Sequence, residues 1–193
     1  IACQNQLKGF EFLEGIPGTL GGALRMNAGA MGWETFDLVD WVSFLLPDGS
    51  IREIPGTDLE VGYRYCREAY DGIALRAKLK SEGRSDHRAI RKVIDKWTSQ
   101  RRATQPREAS AGCIFRNPDD ESAGLLIDQA GLKGEREGAA VVSDLHANFI
   151  INEGGASAEE VISLIKRVRD RVKESKGMML EPEVDILGHS WKE

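Results

Sequence analysis

The chain has 193 residues, 41% of them hydrophobic and 30% charged. That composition belongs to a folded protein with room for one large domain or two small ones, and it excludes a disordered tract. A net charge of −5 argues against nucleic acid as a partner, and no apolar run approaches the roughly 18–20 residues of a bilayer span.

The start, Ile1-Ala2-Cys3-Gln4-Asn5, lacks the basic region and apolar core of a signal peptide. Leu7-Lys8-Gly9-Phe10-Glu11-Phe12 reads as the middle of a domain, so a preceding piece is expected. Cys3, Cys66 and Cys113 make no CxxC pair and no zinc pattern, and His87, His146 and His189 are scattered. A reduced, cytoplasmic protein without a metal site is the expectation.

Residues 15–32 are dense in glycine. A hairpin follows: Val42, Phe44 and Leu46 alternate with Ser43 and Leu45, Pro47-Asp48-Gly49 turns, and Ile51 and Ile54 resume. Ile73, Leu75, Ala77 and Leu79 alternate with charged residues, which predicts a half-buried strand with those four on one face. Asp86 can cap a helix whose stripe is Ile90, Val93, Ile94 and Trp97; residues 100–108 read as a polar linker. The basic clusters at 88–96 and 101–107 are solvated helix faces on the plainer reading, though an anionic small molecule could use them.

Short apolar runs within 112–115 and 139–151 suit strands. Between them, 122–130 reads as a short helix ended by Gly131. Ser157-Ala158-Glu159-Glu160 is a capping box, followed by Val161, Ile165, Val168 and Val172 at helical spacing and Gly177 as the stop. Val184-Asp185-Ile186-Leu187 is expected to be a final strand. The fold class is α+β in two units, 1–106 and 107–193, the second reading β-α-β-β-α-β.

Four segments could carry chemistry. Gly15-Ile16-Pro17-Gly18-Thr19-Leu20-Gly21-Gly22 offers positive φ and backbone amides that can approach a pyrophosphate, or else a tight turn with close packing. In Tyr63-Arg64 the guanidinium can pair bidentately with a carboxylate, although such an arginine is more often a surface ion pair. Ser110-Ala111-Gly112-Cys113 presents a thiol behind small residues. With a pKa of about 8.5 it is protonated at neutral pH and can donate a proton, while a buried hydrophobic role is the commoner alternative. Leu180-Glu181-Pro182-Glu183-Val184 sets Glu183 at the start of an apolar run, where acids are usually solvated.

The order of these segments is more telling than any one of them. Together with Met26-Asn27-Ala28-Gly29-Ala30, Ala130-Gly131-Leu132-Lys133-Gly134 and His146-Ala147-Asn148-Phe149, they make the chain resemble the UDP-N-acetylenolpyruvoylglucosamine reductase family over nearly its whole length. The resemblance implies the remainder of a vanillyl-alcohol-oxidase-type FAD-binding domain followed by a C-terminal α+β substrate-binding domain. It implies FAD and NADPH as cofactors and UDP-N-acetylglucosamine enolpyruvate as substrate, in peptidoglycan precursor synthesis, by a cytoplasmic monomer.

By the same resemblance Gly15, Ile16, Pro17, Gly18, Thr19, Gly21, Gly22, Asn27, Ala28 and Ile73 fall at flavin-binding positions. Arg64, Cys113 and Glu183 match catalytic positions, and Tyr63, Arg101, Asn117 and His146 match substrate-contacting ones. Hydride would pass from NADPH to FAD and on to the β-carbon of the enolpyruvyl ether. Arg64 and protonated Glu183 would stabilise the enolate-like state, and a proton would then reach the α-carbon.

Three departures follow. Many members have Ser where this chain has Cys113, a more acidic group that could still deliver that proton. The stretch between Arg64 and Arg101 leaves no room for a long covering loop, so the chain resembles the branch without the extra Tyr-bearing loop. The family's first flavin subdomain would precede residue 1, and the isolated chain is expected to bind FAD weakly or not at all. Two rivals are an oxidase of the same flavin superfamily and a non-catalytic fragment keeping only the UDP-sugar-binding unit.

Overall fold

The computed structural model describes residues 1–119, 121–187 and 191. His189 and Gly188, part of the sequence reading, lie outside the described residues. The chain divides into two compact units, Ile1–Gln100 and Arg101–Glu193.

The first unit opens with short helical turns at Cys3–Asn5 and Glu11–Leu13 and the helix α1, Leu20–Arg25. A small hairpin, β1 (Gly29–Ala30) and β2 (Trp33–Glu34), leads to β3 (Val39–Leu45) and β4 (Ile51–Pro55). A second small hairpin, β5 (Val61–Gly62) and β6 (Tyr65–Cys66), precedes α2 (Arg67–Asp71), β7 (Ile73–Leu79) and α3 (His87–Thr104). The main sheet is antiparallel in the order β4-β3-β7. Central β3 buries Val42 and Phe44 completely, and these pack with Leu24, Leu59, Cys66 and Ala69. The Pro47-Asp48-Gly49 turn forms as read: Asp48 Oδ1 accepts the Ser50 N–H at 2.9 Å, and Gly49 takes φ +80°.

Strand β7 exists, but its faces differ from the alternation read in the sequence. The register runs Ser43↔Arg76 and then Phe44↔Ala74, so Leu75 is an extra residue in the ladder. Such a bulge reverses the side-chain alternation beyond it. Ala74, Ala77 and Leu79 pack on the core, while Ile73 and Leu75 are 61% and 46% exposed. A second bulge sits at Asp40, between Val39↔Leu79 and Trp41↔Lys78. Its carboxylate takes Lys80 at 2.7 Å and Lys78 at 2.9 Å, and these hydrogen bonds hold it below the usual carboxylate range.

Asp86 caps α3 as expected, its Oδ2 accepting the Arg88 N–H at 2.9 Å, and Ile90 and Ile94 are buried. The linker expected from residue 100 is instead helical to Thr104. Every residue from Gln100 to Ala103 is a good helix former or neutral, Arg101 and Arg102 suit the negative end of the helix, and Pro106 supplies the stop two residues later.

The second unit carries β8 (Ser110–Cys113), α4 (Ala123–Gln129), β9 (Arg136–Glu137), β10 (Ala140–Val142), β11 (Phe149–Asn152) and α5 (Ala158–Lys176). The antiparallel sheet runs β8-β11-β10-β9. Ser122 caps α4 by accepting from Leu125 N–H, and Gly131 follows it with φ +71°. The box at Ser157 and Glu160 opens α5, and left-handed Gly177 closes it. Leu164, Ile165, Val168 and Val172 are buried against Ile127, Leu132 and Val142. Each such side chain contributes about 1.5–3 kcal/mol.

The expected final strand at 184–187 does not form. Instead Phe115 and Pro182 make an isolated bridge, and the Val184 carbonyl accepts the Trp191 indole N–H at 2.8 Å. Pro182 has no N–H with which to continue a ladder. Among the described residues no helix is long and apolar enough to cross a membrane.

Candidate functional site

The glycine-rich segment leads into α1, with Thr19 at its N-cap accepting the Gly22 N–H at 3.2 Å. In front of it lies a cleft of about 410 Å³. Of the positions expected to hold a cofactor, Ile16, Pro17, Gly18, Thr19, Gly22 and Ala28 line it, and Met26 and Leu79 complete an apolar wall. Gly18 needs its φ of +123° there. Gly15 lines a separate hollow beside Cys3 and Ile90, Gly21 and Asn27 are not on the cleft wall, and Ile73 is exposed on β7.

Asn27 is 1% exposed and all its side-chain bonds are internal. Its amide donates to Glu34 Oε2 at 2.6 Å and to the Gly62 carbonyl at 3.1 Å, and its Oδ1 accepts the Phe36 N–H at 3.2 Å. Gly62 begins the turn of the β5–β6 hairpin, whose two connecting residues are Tyr63 and Arg64. Arg64 is left-handed at φ +56°, and its guanidinium stands 4.8 Å from the centre of the Tyr63 ring. Both line a hollow of about 490 Å³ with Gly29, Trp33, Glu34 and Asp37.

In the second unit β8 is bulged. The register passes from Ser110↔Ile151 to Cys113↔Phe149 with one residue too many, and Gly112 in that stretch has φ +83°. Bulges of this kind re-aim the next side chain, here the half-buried Cys113. Beyond it Ile114 and Phe115 turn into the core, each 1% exposed. The segment 180–183 then pairs with them: Glu183 N–H donates to the Ile114 carbonyl at 2.7 Å, and Arg116 N–H donates to the Glu181 carbonyl at 2.9 Å. Glu183 and Cys113 therefore sit on directly paired stretches of backbone.

The other expected contacts are placed less uniformly. Asn117 Oδ1 accepts the Ala123 N–H at 3.1 Å, a bond that serves the start of α4. His146 packs edge-on to Phe149, with ring centres 4.9 Å apart, and its Nδ1 accepts the Asn148 N–H at 3.3 Å. Burial holds its pKa below the ordinary imidazole value. Arg101 lies in the last turn of α3. Cys66, by contrast with Cys113, is fully buried, and burial pushes its thiol pKa up.

Residues 105–187 match the C-terminal domain of UDP-N-acetylenolpyruvoylglucosamine reductase, and residues 1–55 match an FAD binding domain. The protein named UDP-N-acetylenolpyruvoylglucosamine reductase from Alkaliphilus oremlandii is 45% identical over 184 residues, which is 94% of this chain and 60% of that protein. The protein of the same name from Alkalilimnicola ehrlichii is 46% identical over 185 residues, 95% of this chain and 62% of that protein. The crystal structure of UDP-N-acetylenolpyruvylglucosamine reductase from Thermus caldophilus superposes with a TM-score of 0.84 at 38% identity, covering 95% of this chain and 66% of that one. Over nearly its whole length the chain is similar to UDP-N-acetylenolpyruvoylglucosamine reductases. It spans 60% and 62% of the length of the two curated relatives.

Two further residues have a structural role that no local sequence signal marks. Glu34 orients Asn27, and Asn148, 2% exposed, bonds both polar groups of Phe115. Asn148 lies in His146-Ala147-Asn148-Phe149, but nothing local distinguishes a core asparagine from a surface one. Its partner is 33 residues away.

Proposed function

We propose that this chain supplies the second part of the flavin site and the substrate unit of an FAD-dependent UDP-N-acetylenolpyruvoylglucosamine reductase. The reaction reduces the enolpyruvyl ether of UDP-N-acetylglucosamine to the lactyl ether of UDP-N-acetylmuramate, with NADPH as the electron source. The observation that carries this reading is the pairing of the Cys113 and Glu183 segments, through the 2.7 Å bond from Glu183 N–H to the Ile114 carbonyl. It lies in the part of the chain that matches the reductase C-terminal domain.

The cleft over α1 suits a flavin. Its wall is apolar side chains and glycine backbone, so a flat ring and a phosphate-bearing tail can both approach closely. Ile16, Gly18, Thr19, Gly22 and Ala28 would hold it. FAD, when bound, supplies hydride for the β-carbon of the substrate. Arg64 is given the substrate carboxylate, whose charge grows as the β-carbon is reduced. Fixed donors of this kind are worth about 3–4 kcal/mol in a site that excludes water. Glu183, in its acid form, donates a second hydrogen bond to the developing enolate. The Cys113 thiol gives its proton to the α-carbon, and the thiolate is reprotonated from solvent. Tyr63, Arg101, Asn117 and His146 are assigned to holding the substrate. We place the enzyme in the cytoplasm as a monomer, in peptidoglycan precursor synthesis.

The test is NADPH oxidation by the FAD-loaded full-length protein in the presence and absence of UDP-N-acetylglucosamine enolpyruvate. Substrate-dependent oxidation with one lactyl ether formed per NADPH is expected. Substrate binding without turnover would overturn the reductase reading in favour of a binding unit alone.

A further inference from the structure

Among the described residues four non-glycine residues have positive φ, and three of them, Asn27 (+39°), Met31 (+57°) and Arg64 (+56°), lie around two hairpins that share one hollow. Asparagine visits the left-handed region readily, but methionine and arginine keep it where their surroundings impose it. For the β5–β6 hairpin the imposed contact is visible: the buried Asn27 amide holds the carbonyl of Gly62, two residues before Arg64. Glu34 Oε2 takes the other amide hydrogen at 2.6 Å, and the Phe36 N–H meets Oδ1. With acceptors on one side and a donor on the other, the amide has one orientation. Its chain neighbours Met26 and Ala28 line the cleft over α1, so Asn27 ties the wall of that cleft to the arginine hairpin.

We propose that Asn27, oriented by Glu34, is a positioning residue for Arg64 in the reduction proposed above. The inference rests on that reading for the role of Arg64. It gives Asn27 no contact with the reacting atoms. Its part is to fix where the guanidinium stands, and Glu34 acts by holding the amide against Gly62.

The experiment uses Asn27→Asp, which keeps the size and the tolerance for a left-handed backbone but turns an oxygen toward Glu34 and the Gly62 carbonyl. In the FAD-loaded full-length protein, flavin content and the rate of flavin reduction by NADPH stay at parental levels. Transfer to the enolpyruvyl substrate slows by roughly tenfold or more, as expected for a displaced positioning contact. In an Arg64→Ala background the same substitution changes transfer by less than about twofold, because the two act as one unit. Losses that multiply in the double variant, or a loss of flavin from Asn27→Asp, overturn the positioning role. A parental transfer rate in Arg64→Ala alone overturns the assigned function of Arg64, and the positioning role with it. If Asn27→Asp does not fold, Glu34→Gln and Glu34→Ala decide. Gln keeps an acceptor for the amide and transfers at the parental rate, whereas Ala shows the slowed transfer. Equal behaviour of these two overturns the proposal.

Discussion

Asn148 uses both ends of its amide on Phe115, donating to the carbonyl at 2.8 Å and accepting from the N–H at 2.9 Å, while its own carbonyl takes the Ile114 N–H. Asn148→Ala leaves two buried backbone groups of Phe115 without partners, at about 1–3 kcal/mol each. A drop of about 2–6 kcal/mol in the unfolding free energy is therefore expected from denaturant titration, together with faster hydrogen exchange at the Phe115 amide. His146 gives a pH dependence. Its folded pKa is depressed by burial, so the unfolded state binds more protons below the ordinary value of about 6.5, and stability falls as pH falls through that window. Denaturation midpoints measured from pH 7 down to 5.5 should decline, and His146→Gln should flatten the decline. At this scale the sequence disclosed residue types better than partners. Cys113 and Gly112 stood out as a thiol behind a glycine, but the bulge that re-aims the thiol depends on the β11 register, which no local pattern contains.

Capping made the helices legible. Asp86, Ser122 and Ser157 each accept a backbone N–H in the first turn, and these bonds depend on neighbours three residues away or fewer. Strand faces were legible only where the ladder is continuous. The hairpin of β3 and β4 keeps one register, and Val42, Phe44, Leu46 and Ile54 reach the core as read, although Ser43 is buried as well and Ile51 is exposed; β7, interrupted at Leu75, departs further. The capping box of α5 also meets another element. A methyl group added at Gly138 would run into the Glu160 carboxylate, and Gly138 is itself left-handed at φ +55°. Gly112, left-handed as well, has open space around it. Gly112→Ala should thus cost only backbone strain, about 1–2 kcal/mol. Gly138→Ala should cost that plus the cap, about 2–4 kcal/mol in total by denaturant titration.

Each of the two units has its own buried cluster, Val42 and Phe44 with Leu24 in one, Ile127, Leu164 and Val168 in the other. The two-unit α+β organisation was readable because the element pattern changes after α3, but the boundary was blurred by a helix that runs on through an apparently linker-like stretch to Thr104. Residues 101–193, produced alone, should unfold in a single cooperative transition, with coincident fluorescence and far-ultraviolet dichroism curves. The cleft over α1 was foreshadowed by its glycines, since backbone close to a ligand demands them. The bond from Asn27 to the Gly62 carbonyl was not, because the two residues are 35 apart in the chain.

The role given to Cys113 can be read directly by stopped flow. The NADPH-reduced, FAD-loaded full-length protein is mixed with UDP-N-acetylglucosamine enolpyruvate, and flavin reoxidation is followed in the Cys113→Ser and Cys113→Ala variants. Serine, which keeps a proton on the same short side chain, should retain transfer within about tenfold of the parent, whereas alanine should slow it by about 10²–10⁴, the usual worth of a positioned acid. Transfer at the parental rate in Cys113→Ala would contradict the account.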